Sequence, residues 1–235
     1  RLISCSTLDI SKQIFNANHN NLGLISYSEF SQIEEEEFEQ YKKILDNQKI
    51  ILEKYNPKPH QENALNKCLD YFLSNSRGKL IHPCGAGKSL TGYWLFRYLN
   101  VKNALVVVPS LQLVKQTLKT WARELICEGI EVEWIAICSD DDVKNLDDPS
   151  ISISDLGIDV NTEIDEISKF INQKTEKLKL IITTYQSGNT LISALKESGY
   201  EFELGIFDEA HKTVGSKKKP FAQLLYEDKI KIKKR

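Results

Sequence analysis

The stretch Lys79-Leu80-Ile81-His82-Pro83-Cys84-Gly85-Ala86-Gly87-Lys88-Ser89-Leu90 decides the fold of this 235-residue chain. Its second half reads G-x-G-K-S, whereas the longer pattern G-x-x-x-x-G-K-[ST] is broken because His82 stands where its first glycine belongs. The apolar lead-in predicts a strand at 79–82, and the apolar periodicity after the glycines predicts a helix at 89–99. A glycine-rich turn between a strand and a helix lets backbone N–H groups surround phosphate oxygens at the positive end of the helix.

The polar residues of this turn predict a nucleotide and its metal ion. Lys88 would place its ammonium on the β- and γ-phosphates, and the Ser89 hydroxyl would hold Mg²⁺. The plain alternative is a glycine-rich turn before an ordinary helix. We therefore expect ATP and Mg²⁺ as ligands, with contacts from Pro83, Cys84, Gly85, Ala86, Gly87, Lys88 and Ser89.

A second group of candidate catalytic residues follows about 120 residues later, in Leu204-Gly205-Ile206-Phe207-Asp208-Glu209-Ala210-His211. This is an apolar strand that ends in two acids. At the tip of a strand facing a phosphate loop, Asp208 can hold Mg²⁺ through water and Glu209 can polarise the attacking water as general base.

Helical and apolar segments alternate between the two groups, and strands such as 104–108 are apolar throughout, as a parallel sheet covered on both faces requires. The pattern predicts a doubly wound α/β domain with a mainly parallel sheet and an N-terminal helical extension. Residues 1–28 hold two short strands and read as the tail of an upstream domain, 29–57 as a helical linker, and 58–235 as the α/β domain. Its expected elements are strands 79–82, 104–108, 131–138, 178–184 and 203–207 with helices 60–74, 89–99, 111–127, 163–173 and 190–197.

Composition sets broad limits. Hydrophobic residues make up 41% of the chain, the net charge is -2, and the five cysteines form no C-x-x-C pair, which favours free thiols in the cytoplasm. No apolar run approaches the length of a membrane span. The chain starts at Arg1 and contains no Met, so we expect a fragment. The Lys-rich end, 212–235, is either a nucleic-acid patch or a solvated turn followed by a strand.

Together, Gly85–Ser89 and Asp208–His211 resemble the first RecA-like domain of superfamily 2 helicases and translocases, which also implies a catalytic role for His211. Lys58-Pro59-His60-Gln61 is similar to the R-x-x-Q element of that superfamily, with Lys58 where Arg is usual. The resemblance implies that Gln61 reads the adenine edge, and an amide can pair with that edge. The alternative is that Gln61 caps a helix.

Two further segments are similar to superfamily motifs that contact one nucleic-acid strand along its backbone. They are Val108–Gln116 and Thr183–Ser187, and each follows a predicted strand. For either segment the alternative is a capped turn. The contacts that the resemblance implies are Pro109, Ser110, Leu111, Gln116, Thr184, Tyr185, Gln186 and Ser187.

The resemblance narrows to ATPases fused to restriction nucleases in bacterial defence, that is, type I, type III or single-polypeptide restriction–modification enzymes. It implies a DNA motor with a second RecA-like domain and a nuclease domain as partners, and no membrane. Because the S/T-A-T motif and the second domain's arginine are missing, we expect residues 1–235 alone to be inactive. The alternatives are an RNA or DNA-repair helicase, and a nucleotide-gated nucleic-acid-binding module without turnover.

Overall fold

A computed structural model describes residues 2–6, 22–26, 53–83, 85–138, 160–196, 198–210 and 220–235. The chain divides into two compact units, Arg1–Glu53 with Asp148–Ile158, and Lys54–Asp147 with Asp159–Arg235. In the first unit, β1 (Leu2–Ser6) and β2 (Leu22–Ser26) pair in parallel. Both strands match the sequence prediction. A helical linker was predicted at 29–57. Its residues 29–52 lie outside the described residues, and residues 53–57 are not helical.

The second unit contains one parallel sheet of six strands in the order β5-β4-β6-β3-β7-β8. This confirms the predicted doubly wound α/β fold. The bounds are α1 Pro59–Tyr71, α2 Lys88–Tyr98, β3 Asn103–Val108, α3 Leu111–Cys127, β4 Val132–Ile137, β5 Val160–Asn161, α4 Ile164–Asn172, β6 Leu178–Thr184, α5 Gly188–Leu195, β7 Glu201–Phe207, a 3₁₀ helix Pro220–Leu225 and β8 Lys231–Lys234.

Helices cover both faces of the sheet. Leu105 and Val107 of β3 pack in one core cluster with α4 and α5, and the intervening residues of β3 face the opposite side because side chains alternate along a strand. On that side Trp121 of α3 is buried and stacks on Phe96 of α2, with ring centroids 5.6 Å apart. Burial on both faces explains why residues 104–108 of β3 are all apolar.

The register of β3 against its neighbours brings three chain segments to one edge. Val108 lies opposite Thr184 of β6, and Val107 lies opposite Phe207 of β7. Since all strands run in the same direction, the residues that follow each of them leave at the carboxyl edge of the sheet. The loops after β3, β6 and β7 are therefore neighbours there.

The strand predicted at 79–82 is wrong, because the structure has no strand in this segment. Arg235 N donates to Ser76 O at 2.8 Å and Gly78 N donates to Arg235 O at 2.9 Å, so pairing along this edge reaches only Gly78. Ile81 is 89% exposed. A strand requires hydrogen bonds to a neighbour, and within the described ranges the chain after β8 supplies no backbone partner beyond Gly78.

The two-residue strand β5 was not predicted from the sequence. The polar strand β8 is the strand that the sequence left open as one alternative for the Lys-rich end. None of the helices in the described part of the chain combines the length and the apolar character needed to cross a membrane.

Candidate active site

The glycine-rich loop owes its shape to two residues with left-handed backbone. Gly85 has φ +76° and Gly87 has φ +75°, and Gly87 is the N-cap of α2. A Cβ atom on Gly87 would lie 2.4 Å from Nε2 of Gln61. The φ value favours glycine at position 87, and a larger residue there would displace the Gln61 amide.

We expect Gly87→Ala to weaken ATP binding by about tenfold or more. A left-handed alanine costs about 1–2 kcal/mol, and the added methyl group displaces the Gln61 amide, so the loop relaxes into another shape. Titration with a fluorescent ATP analogue measures the change. Gly92→Ala is the matched control, because a Cβ there would lie 3.5 Å from Ile206 and Trp121, an ordinary contact. Equal affinities of the two variants would contradict the assigned loop geometry.

The loop lysine and an acid after β7 form an ion pair. Lys88 Nζ donates to Glu209 Oε1, and the two side chains are 32% and 26% exposed. These residues are 121 positions apart in the chain. The contact therefore joins the two groups of candidate catalytic residues that the sequence predicts, the glycine-rich loop and the acids after β7. It places a cation and a carboxylate at the start of α2.

The backbone around the two acids is tightly held. Asp208 N donates to Val107 O at 2.9 Å, which continues the pairing of β7 with β3. Glu209 N donates to Asp208 Oδ1 at 2.9 Å. Glu209 has φ +52°, a left-handed conformation that non-glycine residues rarely adopt and that clusters at functional sites.

The Ser89 hydroxyl is suited to act as a metal ligand. Its Oγ is buried and has no hydrogen-bond partner among the described residues, and a buried hydroxyl without a partner is costly unless a ligand satisfies it. Together with the Asp208 carboxylate it offers the oxygen ligands that Mg²⁺ prefers, and Mg²⁺ in nucleotide sites commonly uses few protein ligands. The side chains present are therefore suited to Mg²⁺.

Three neighbours of the loop were not predicted from the sequence. Trp121 Nε1 donates to Ser89 O at 3.1 Å, and Thr91 Oγ1 donates to Gly87 O at 3.2 Å. His60 Nε2 lies 3.3 Å from Ala86 O. These contacts come from α3, from α2 itself and from α1, and no local pattern in the sequence marks them.

His82, the residue that breaks the longer glycine pattern, stays neutral beside the loop lysine. Burial lowers its pKa, and the nearby charges of His60 and Lys88 lower it further. Its Nε2 is buried without a hydrogen-bond partner in the described ranges. A second positive charge next to Lys88 is thereby avoided at neutral pH.

Gln61 is buried at the start of α1 and holds the loop. Its Oε1 accepts from Lys58 N at 2.8 Å, and its Nε2 donates to Ala86 O at 3.0 Å. The first bond is the helix cap that the sequence left open as an alternative. The second connects the amide to the phosphate loop, so reading of adenine by Gln61 stays a prediction.

A nucleotide competition assay on Gln61→Ala separates these two roles. If Gln61 reads adenine, we expect the preference for ATP over GTP to fall by the equivalent of about 1–3 kcal/mol, the size of a bidentate amide contact to a base. If the amide acts only on the loop, affinity for both nucleotides falls together and the preference is unchanged. Glu62→Ala, an exposed substitution next in the chain, is the control.

The predicted nucleic-acid contacts after β3 lie at the start of α3. Ser110 is exposed and caps the helix, with its Oγ accepting from Leu113 N at 3.4 Å. Gln116 is exposed, Pro109 is half-buried and Leu111 is buried. Ser110 and Gln116 are therefore the members of this set with accessible side chains.

The predicted contacts after β6 form a buried turn. Thr184 Oγ1 and Ser187 Oγ are 2.9 Å apart, and Ser187 N donates to Thr184 Oγ1 at 3.2 Å. Tyr185 is also buried, and Gln186 is half-buried with an unpartnered Oε1 in the described structure. A nucleic-acid contact by these four residues stays a prediction, and the polar side chains of Thr184 and Ser187 serve the turn itself.

The remaining predicted residues fall in two groups. His211 and Cys84 lie outside the described residues. At the Lys-rich end, Lys233 lies within 4 Å of Glu201 and Glu203, and Lys234 Nζ donates to Phe72 O at 2.9 Å. These two cations are therefore partly used within the fold.

A parallel sheet with a G-x-G-K-S loop, a lysine and paired acids at its carboxyl edge defines a RecA-like nucleotide-binding domain. Within that class, the family model described as "Type III restriction enzyme, res subunit" matches residues 54–233. The chain belongs to this family.

Relatives with longer chains support the assignment. The African swine fever virus protein "Probable helicase A859L" (isolate Tick/Malawi/Lil 20-1/1983) is 28% identical over 168 residues, which cover 71% of this chain and 17% of the viral protein. The type ISP restriction–modification enzyme LlaBIII, solved bound to DNA, matches with a TM-score of 0.73 at 23% identity. The match covers 99% of this chain and 15% of the LlaBIII chain. At that identity the likeness concerns the fold.

A nuclease-deletion mutant of the type ISP enzyme LlaGI, solved with a DNA substrate mimic, is 28% identical, with a TM-score of 0.61. It covers 77% of this chain and 17% of the LlaGI chain. The chain thus spans about one sixth of the length of the relatives it matches.

Proposed function

We propose that this chain is the ATP-binding half of an ATP-dependent DNA translocase, the motor of a restriction or defence enzyme. The observation that carries the proposal is the contact of Lys88 with Glu209 next to Ser89, whose hydroxyl has no hydrogen-bond partner within the described part of the chain. These side chains support the proposal because a lysine, a hydroxyl and a carboxylate are the groups that would bind phosphate, hold a metal ion and act as general base. Membership of the restriction-enzyme family and the DNA-bound relatives support DNA as the polymer.

In this proposal hydrolysis uses four side chains. Lys88 contacts the β- and γ-phosphates, Ser89 and Asp208 hold Mg²⁺, and Glu209 takes the proton of the attacking water. When bound, Mg²⁺ neutralises charge on the phosphates. Lys88 has to leave Glu209 to reach a phosphate, and this movement frees the Glu209 carboxylate to accept a proton. Binding of ATP thereby prepares the base.

The rest of the motor lies outside the matched sixth of the relatives. We propose a second RecA-like domain, whose arginine contributes on the order of 10³–10⁵ in rate in phosphoryl transfer, and a nuclease domain. Without them, residues 1–235 bind ATP weakly and hydrolyse it negligibly. A motor that acts on DNA in bacterial defence works in the cytoplasm.

The viral relative favours a second candidate, a helicase that separates strands. A translocase on duplex DNA displaces a third strand from a triplex without unwinding the duplex, whereas a helicase separates the duplex itself. The two activities therefore differ in a single displacement assay.

Phosphate release by the full-length protein, with duplex DNA, single-stranded DNA or RNA added, tests the proposal. We expect stimulation by duplex DNA together with triplex displacement. Stimulation by RNA, or duplex unwinding, would favour a helicase. Binding of ATP without any hydrolysis would instead favour the alternative of a nucleotide-gated nucleic-acid-binding module without turnover.

A further inference from the structure

The Tyr185 hydroxyl donates to the backbone carbonyl of Asp208 at 2.7 Å. Tyr185 follows β6 and is fully buried. In the sheet order, β3 lies between β6 and β7. The tyrosine side chain therefore crosses the carboxyl end of β3 to reach the first of the two acids.

The end of β3 holds both partners of this bond. Tyr185 N donates to Val108 O at 3.2 Å, and Asp208 N donates to Val107 O at 2.9 Å. Three hydrogen bonds thus tie together the segments that leave β3, β6 and β7. The bond from the hydroxyl is the one that depends on the side chain.

The peptide between Asp208 and Glu209 is held at both of its polar atoms. Its carbonyl oxygen accepts from Tyr185, and its N–H donates to Asp208 Oδ1. The next residue, Glu209, has φ +52°. A non-glycine residue keeps such a conformation only when its surroundings determine it, and the tyrosine bond supplies one of those restraints.

The charge state of the tyrosine suits this role. Burial raises its pKa, and the negative charges of Asp208 and Glu209 raise it further. The hydroxyl therefore stays protonated and donates across the neutral pH range.

We propose that Tyr185 is a positioning residue for ATP hydrolysis, which aims the Glu209 carboxylate by holding the Asp208–Glu209 peptide, and that it does not contact nucleic acid. This inference rests on the proposed function. The predicted strand contacts at 109–116 directly follow Val108, and those at 184–187 directly adjoin the Tyr185 hydrogen bonds. A shift of either segment by a bound strand therefore changes the aim of Glu209.

Steady-state kinetics of Tyr185→Phe in the full-length protein test the proposal. The change removes the hydroxyl and keeps the ring in the core. We expect kcat to fall by about tenfold or more, since small misplacements of reacting groups cost up to about 100-fold. The KM for ATP and the DNA concentration for half-maximal stimulation should change by less than about twofold, because neither ligand loses a contact.

Tyr200→Phe is the matched control. Tyr200 also packs against the core and lies directly before β7, about 26 Å from Asp208 along a seven-residue strand. We expect its kcat to equal that of the unsubstituted protein. Rates are divided by the fraction of molecules that bind ATP, so that partial unfolding of Tyr185→Phe does not imitate a lower kcat.

Two results would overturn the inference alone. One is an unchanged kcat in Tyr185→Phe, and the other is a raised DNA concentration for half-maximal stimulation, which would make Tyr185 a strand contact. Absence of hydrolysis by the unsubstituted protein would overturn the proposed function and this inference with it.

Discussion

Lys88→Ala lowers ATP turnover of the full-length protein by about 10²–10³-fold or more, the effect of removing one preorganised donor from a transition-state site. The substitution leaves the fold intact, because the Lys88 side chain is partly exposed and pairs with Glu209 rather than packing in the core. Phosphate release with saturating duplex DNA measures the turnover, and circular dichroism checks the fold.

Lys177→Ala is the control for loss of a lysine. Lys177 pairs with Glu131 at 2.9 Å, and both side chains are exposed. An exposed pair of this kind contributes little to stability, so turnover should equal that of the unsubstituted protein. Near-normal ATP turnover in Lys88→Ala would contradict the assignment of residues 85–89 as a phosphate-binding loop.

Glu209→Gln should bind ATP more tightly and fail to hydrolyse it. An amide cannot accept the proton of the attacking water, and general-base catalysis contributes about 10²–10⁴ in rate. At the same time the substitution removes the carboxylate that competes with phosphate for Lys88. A partly exposed ion pair is worth up to about 1 kcal/mol, so the gain in ATP affinity is up to about fivefold.

Single-turnover hydrolysis and equilibrium titration measure the two halves of this result separately. Glu201→Gln at the start of the same strand is the control, since its side chain is half-exposed and pairs with Lys233. Normal hydrolysis by Glu209→Gln would mean that another group is the base. Weaker ATP binding would mean that the contact with Lys88 does not compete with the nucleotide.

The phosphate loop and most of the fold could be predicted because their signals are local. Helix 111–127 and strand 178–184 have the predicted bounds. A helix is closed by hydrogen bonds within its own segment, and a strand buried on both faces is apolar along its whole length. The same logic failed at 79–82, because a strand also depends on a neighbour that its own residues do not specify.

The sequence by itself determined the doubly wound sheet, the G-x-G-K-S loop before α2 and the acids after β7. Tertiary structure alone decided which of these residues meet. The pairing of Lys88 with Glu209 spans 121 positions, and the Gln61 amide and the Tyr185 hydroxyl bind backbone carbonyls that any residue could supply. Such contacts leave no pattern in the chain, because each joins segments that lie far apart in the sequence. The Tyr185 contact follows from the parallel register that brings the ends of β3, β6 and β7 to one edge.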